Sequence, residues 1–221
     1  MKKLFIFLFI LVLVPLSILT YLGVIPILSL LVVKPVDLGI TADPSLVTAF
    51  EAKYARPNTT VTNLDVALSS QEITSVMSVW EQRDRHFPLH SVQVRFNADG
   101  TGEASGYLRI GTAIALAQNL GYSDADIEQG KTYIKYVSGD LPFYVKGTGG
   151  MTNNALSINP STFQLGRVTI PNSITDSAAM VVGDMIKRRI QQIGGANIRR
   201  ADFNNGTFRL IGTVPSTIEY K

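Results

Sequence analysis

The chain reads as an α+β protein in which an N-terminal transmembrane helix precedes a curved antiparallel sheet packed on a long amphipathic helix. Three observations predict this. Leu4 to Val33 is a run of thirty residues without a charge. Thr60 to Leu68, Ser91 to Ile110, Leu141 to Gly149, Ala155 to Ile158, Phe163 to Ile170 and Asn197 to Val214 alternate apolar and polar side chains with a period of two, the mark of half-buried strands. Ile174 to Ile193 instead repeats its apolar residues at helical spacing.

The uncharged run is long enough to span a bilayer, which takes about 20 apolar residues. Pro15, Gly23 and Pro26 allow kinks within it, and a re-entrant hairpin between Pro15 and Pro26 is the lesser alternative. A cleaved signal peptide would have a core of only about 7–15 apolar residues ending at small residues. This run is about twice that length, and no Ala-x-Ala precedes Lys34. Residues 1–34 are therefore expected to be an uncleaved anchor, and residues 35–221 a single extracytoplasmic domain. Lys2 and Lys3 keep the N-terminus cytoplasmic by the positive-inside rule. The expected location is the cell membrane, single-pass.

Composition narrows the function. With no cysteine there is neither a disulfide framework nor thiol chemistry. The net charge of +3 owes two lysines to the stretch before the anchor, and the remainder holds 18 basic against 17 acidic residues. No strongly basic domain is left, so nucleic acid is not expected as a partner.

Lys34 to Ile40 forms a short linker that holds the domain close to the membrane. Asp43-Pro44 starts a helix running to about Ala55. Thr60 to Leu68 is a strand with Leu64, Val66 and Leu68 on one side. Ser69 and Glu72 form a capping box, and Ile73, Val76, Met77 and Trp80 mark the inner face of the helix that follows. Ser91 to Ile110 is a hairpin turning at Asn97-Ala98-Asp99-Gly100. Helices are expected over Thr112 to Leu120, ended by Gly121, and from Ser123 to about Val137. Leu141 to Gly149 is a strand, with Ala155 to Ile158 and Phe163 to Ile170 returning beside it and a bulge at Gly166. Ile174 to Ile193 is the long helix, and Asn197 to Val214 a last hairpin turning at Asn204-Asn205-Gly206. Phe96 to Thr101 resembles Phe203 to Thr207, and shared turn chemistry accounts for that likeness.

No pattern for chemistry emerges. His86 and His90 stand at metal-like spacing, but Pro88 between them breaks a helix face, no further ligand joins them, and they read as loop. Gly102 to Gly106 misses the nucleophile elbow by one position, and Gly147 to Gly150 lacks the lysine of a phosphate loop. Asn97 to Glu103 lacks the spacing of a calcium loop. Asn58-Thr59-Thr60 and Asn205-Gly206-Thr207 match the glycosylation triplet. With no nucleophile–base or metal constellation, the expectation is a non-catalytic protein without metal or cofactor. Lys187, Arg188, Arg189, Arg199 and Arg200 form the one basic concentration. It is either a solvated helix end complementing the dipole or a contact for anionic headgroups.

The order of anchor, strand, capped helix, hairpin, strands, long helix and final hairpin resembles the membrane-anchored YpmS-like and LmeA-like proteins of bacterial envelopes, related in architecture to tubular lipid-binding domains. The stretches that carry the resemblance are Val66 to Trp80, Val92 to Leu108, Phe143 to Val168 and Ile198 to Val214; Thr112 to Val137 fits less well. The resemblance implies a sheet wrapped around a helix with an apolar groove for lipid chains, and no catalytic residues. The function expected is lipid or amphiphile binding in the cell envelope. The groove residues would be Val94, Phe96, Leu108 and Val145 on the sheet and Val181 and Met185 on the helix, with Lys187, Arg188 and Arg189 toward headgroups. A structural or adaptor protein with a packed core, binding an envelope partner, is the rival.

Overall fold

A computed structural model describes residues 34–54, 61–125, 127–128, 140–166 and 168–215. The expected anchor and most of the Ser123 to Val137 helix lie outside the described residues, and no described helix is long and apolar enough to cross a membrane. The elements are α1 (Pro44–Tyr54), β1 (Val61–Leu68), α2 (Ser70–Arg83), β2 (Leu89–Phe96), β3 (Gly102–Arg109), α3 (Ile110–Asn119), β4 (Asp140–Thr152), β5 (Ala155–Leu165), β6 (Val168–Thr169), α4 (Asn172–Gln192), β7 (Asn197–Asn204) and β8 (Thr207–Pro215).

All strand pairs are antiparallel, in a strongly curled half-barrel. Its path is β1-β8-β7-β4-β3-β2, with β5 on the other edge of β4. The thirteen residues of β4 carry two neighbours end to end, β3 over its first part and β7 at Gly150 to Thr152. Three register shifts fall between His90 and Gln93, Lys146 and Gly147, and Ile198 and Arg200. Such bulges bend a strand and increase its twist, which accounts for the curl. Two are tied to glycine, because a Cβ at Gly147 or Gly212 would land on the carbonyl of Asn159 or Asn197. Proline is tolerated in β5 for the same reason: Pro160 faces Gly147 at the shift, where the ladder is already interrupted. The bulge expected at Gly166 is instead a turn with φ of +61°, between β5 and β6.

Residues opposite one another across paired strands share a face. Val66, Leu210, Ala201, Met151 and Leu156 form one such row, from β1 through β8, β7 and β4 to β5. Val94, Ala104, Val145 and Phe163 form another, across β2, β3, β4 and β5. One face of the sheet is thus apolar from end to end. Its β1 side makes the core, where buried Leu64, Val66 and Leu68 meet Phe50 of α1, Ile73 of α2 and Phe208, Leu210 and Val214 of β8. The Phe96 ring stacks on Phe203 and Phe208 at 5.5 and 5.8 Å between centroids.

The capping box is present: Ser69 Oγ accepts from the Glu72 amide, and Glu72 accepts from the Ser69 amide at 2.7 Å. The buried side of α2 differs from expectation. Thr74, Ser75 and Val79 are buried, while Trp80 is 37 % exposed. Hydrogen bonding explains the rotation. α2 lies along the edge of β2, where the Val94 amide donates to Thr74 Oγ1 at 2.9 Å and the Phe96 amide to Ser70 Oγ at 2.9 Å. The helix hydroxyls satisfy an edge that would otherwise be open. The linker is fastened to the same region. Leu38 is buried, its amide donates to Gln93 Oε1 at 2.7 Å, and its carbonyl accepts from Arg95. The Asp43 amide donates to the fully buried Ser75 hydroxyl at 2.8 Å.

Candidate amphiphile-binding face

Val94, Phe96, Leu108 and Val145 all lie on the apolar face, since the register places Val94 and Val145 in one row with Phe96 and Leu108 two and four residues along their strands. Their burial separates them. Phe96 is 8 % exposed and belongs to the aromatic core, whereas Val94, Leu108 and Val145 are only half-buried. Phe143, Phe163 and Leu165 on the same face are also half-buried. The face therefore closes at β1 and β8 and at Leu141, 3 % exposed at the start of β4, while the stretch from Val94 through Val145 to Phe163 keeps part of its apolar surface accessible.

α4 stands apart from most of the residues expected to share a groove with it. It packs on β5, close enough that a Cβ on Gly183 would sit 3.4 Å from the Leu156 carbonyl oxygen, while β2 takes α2 as its helix. Met185 is half-buried and Val181 is 51 % exposed. A hollow of about 540 Å³ opens where β4, β5 and β7 meet, lined by Met151, Ala155, Ser157, Ala201 and Asp202 among others. None of the six expected groove residues lines it.

The three cations of α4 divide likewise. Arg188 is engaged: it pairs with Asp184 at 2.8 Å, donates to the Leu120 carbonyl at 3.3 Å and lies 4.5 Å over the Tyr122 ring. The Tyr122 hydroxyl also donates to Asp184 at 2.6 Å, and that bond, with Arg188, holds the Asp184 carboxyl below its ordinary range. Lys187 and Arg189 are exposed and make no ion pair among the described residues.

One cluster escapes sequence reading altogether. His90 belongs to β2, not to a loop, and its Nε2 lies 3.0 Å from Asp140 Oδ2. Its Nδ1 is 3.3 Å from Ser91 Oγ, and its ring stacks on Tyr107 at 4.6 Å. Ser91 has φ of +51°, at the bulge. By distance alone this is a carboxylate–imidazole–hydroxyl line. Acyl transfer also needs donors facing the oxyanion, and here the Ser91 amide donates at 2.8 Å to Glu81, itself paired with Arg109 at 3.2 Å. A carboxylate fills the place an anion would need. The cluster bolts the bulged strand to α2, β3 and β4. The only sequence signal was His90 itself, since Asp140 is fifty residues away.

On the outer face, Glu103 accepts from Asn97 Nδ2 and from the Tyr144 hydroxyl, both at 2.8 Å. Burial and that bond push the Tyr144 phenol up to about 12. Among the described residues no group of His, Cys, Asp and Glu could hold a metal ion. Comparison with protein-family models, with curated proteins and with solved structures finds no match.

Proposed function

We propose that this is a membrane-anchored, extracytoplasmic protein of the cell envelope that binds lipid or another amphiphile on the inner apolar face of its curled sheet. The observation that carries the reading is the half-buried apolar surface across β2 to β5. Val94, Leu108, Phe143, Val145, Phe163 and Leu165 share one face and keep partial access. Completing the burial of a large apolar side chain is worth up to about 1.5–3 kcal/mol, so a few acyl methylenes on this surface would be held usefully. The thirty-residue apolar run and the resemblance to YpmS-like and LmeA-like proteins support the same reading. Phe96 leaves the proposed contact set, since it is part of the core.

The test uses the full chain reconstituted in bilayer nanodiscs containing a phospholipid with a photoactivatable acyl chain. After irradiation, adducts are expected on peptides from residues 89–109 and 140–165. Val145→Trp, which fills the face, is expected to reduce them. Adducts confined to residues 1–34 would overturn the reading and leave the adaptor alternative.

A further inference from the structure

α4 leaves its large apolar side chains to solvent. Ile174 is 45 % exposed, Met180 71 %, Val181 51 %, Val182 42 % and Ile186 36 %, and Thr175 is the helix's one buried residue. Contiguous apolar surface of this kind marks an interaction site. Ile174, Val181 and Val182 follow one another at seven and eight residues, and so form a stripe along one side of the helix. At the C-terminal end Arg189, seven residues beyond Val182, continues the stripe, and Arg199 follows at the start of β7, both exposed and without an ion pair among the described residues. The exposed acid of the helix, Asp176, lies on the opposite side, where Met180 and Lys187 share its face four and eleven residues on.

We propose that α4 is a second membrane contact, lying on an anionic leaflet with its apolar stripe among the acyl chains and Arg189 and Arg199 at the phosphates. Helices of this kind bind through buried apolar area together with attraction to anionic lipid. Charge decides for a membrane: an apolar strip ending in arginines that make no ion pair among the described residues matches a surface that is apolar inside and anionic at its rim. The fastened linker favours it further, because Leu38 and Asp43 are tied to the domain next to the expected anchor, which would hold the domain near the bilayer. The contact goes beyond the inner-face reading and does not require a lipid there.

The chain has no native cysteine, so a single Val182→Cys, within the stripe, can carry a polarity-sensitive dye on the full protein. In nanodiscs holding one chain each and rich in phosphatidylglycerol, the dye is expected to shift to the blue. A lipid-borne quencher should reach it about two-fold more strongly than the same dye at Thr148→Cys, an exposed position on β4. High salt, or the double change Arg189→Glu and Arg199→Glu, should reverse the shift. Quenching no greater than at the β4 position would overturn the proposal. So would a shift seen only when two chains share a disc, which would assign the stripe to a second copy. Equal contact in purely zwitterionic discs would overturn the role given to the cations. Failure of the inner-face reading would show instead as missing photo-adducts on residues 89–109 and 140–165, with the signal from the dye at position 182 intact.

Discussion

α2 and α4 each follow a strand and lead into a hairpin, and each packs chiefly on one strand, α2 on β2 and α4 on β5. Their surroundings are otherwise opposite. α2 begins with a reciprocal capping box, buries Thr74, Ser75 and Val79, and saturates the edge of its strand with hydroxyls. α4 begins at Pro171 without a side-chain cap, buries Thr175 alone, and exposes five large apolar residues. α2 is held by hydroxyls bonded to its strand and linker, whereas α4 leaves large apolar groups exposed. The difference separates what holds this fold from the apolar surface it leaves open.

The largest expected break comes on the α2 side. Leu64 is 4 % exposed in the cluster that α1 and α2 cover. Leu64→Ala should cost about 3 kcal/mol, the transfer energy plus the cavity left behind. Denaturant unfolding followed by circular dichroism would measure it, and a loss below about 1 kcal/mol would show that α1 and α2 do not form the core.

Next is the cap. Ser69→Ala removes the acceptor for the Glu72 amide and should cost about 1 kcal/mol. The single Trp80 lies in the last turn of α2, edge-on to Phe87 at 6.0 Å, so its fluorescence reports this helix directly. A fluorescence midpoint unchanged by the substitution would remove the cap from the account of why α2 is the firmer helix.

Much of this contrast was invisible in the sequence, for identifiable reasons. The strands, both hairpins and the Ser69–Glu72 box were legible, because alternation, Asn-Gly turn chemistry and capping act over a few residues. The buried side of α2 was not, because Thr74 and Ser75 are polar and leave no trace in apolar periodicity; their burial depends on amides twenty residues on in β2 and on Asp43. The strand through Pro160 was read as broken, since the tolerance comes from a register shift against Gly147. The periodicity of α4 was read correctly, but an apolar stripe has the same spacing whether it faces a core or solvent. Of the expected groove, Val94, Leu108 and Val145 share a face because alternation fixes faces. Their separation from α4 is topological: α4 returns onto β5 rather than onto the first hairpin.

A smaller effect concerns what ties α4 down. Its polar tether is Asp184, held by the Tyr122 hydroxyl and by Arg188, and the folded state keeps this carboxyl below its ordinary value of 3.8. A depressed value means that the folded protein binds fewer protons than the unfolded chain in that range, so stability rises with pH there. The tether should contribute fully above the ordinary aspartate range and weaken as pH falls through the depressed value. Protection factors at the Arg188 and Tyr122 amides, which allow for the slower intrinsic exchange in acid, should fall at low pH more than those in α2, and Asp184→Asn should abolish that difference. Equal acid response in the two helices would mean that the tether is not what holds α4.

The smallest expected effect on the fold is the most informative for function. Val181 is 51 % exposed, so Val181→Ser removes little buried surface and should change stability by less than about 0.5 kcal/mol. A comparable change at buried Val79 of α2 would place a hydroxyl among apolar groups and cost several times more. If Val181→Ser leaves the unfolding midpoint in place while weakening lipid quenching of the dye at Val182→Cys, the stripe is there for contact and not for folding. If it instead lowers the midpoint as Val79→Ser does, α4 is a core helix whose cover lies elsewhere in the chain, and the contrast between the two helices disappears.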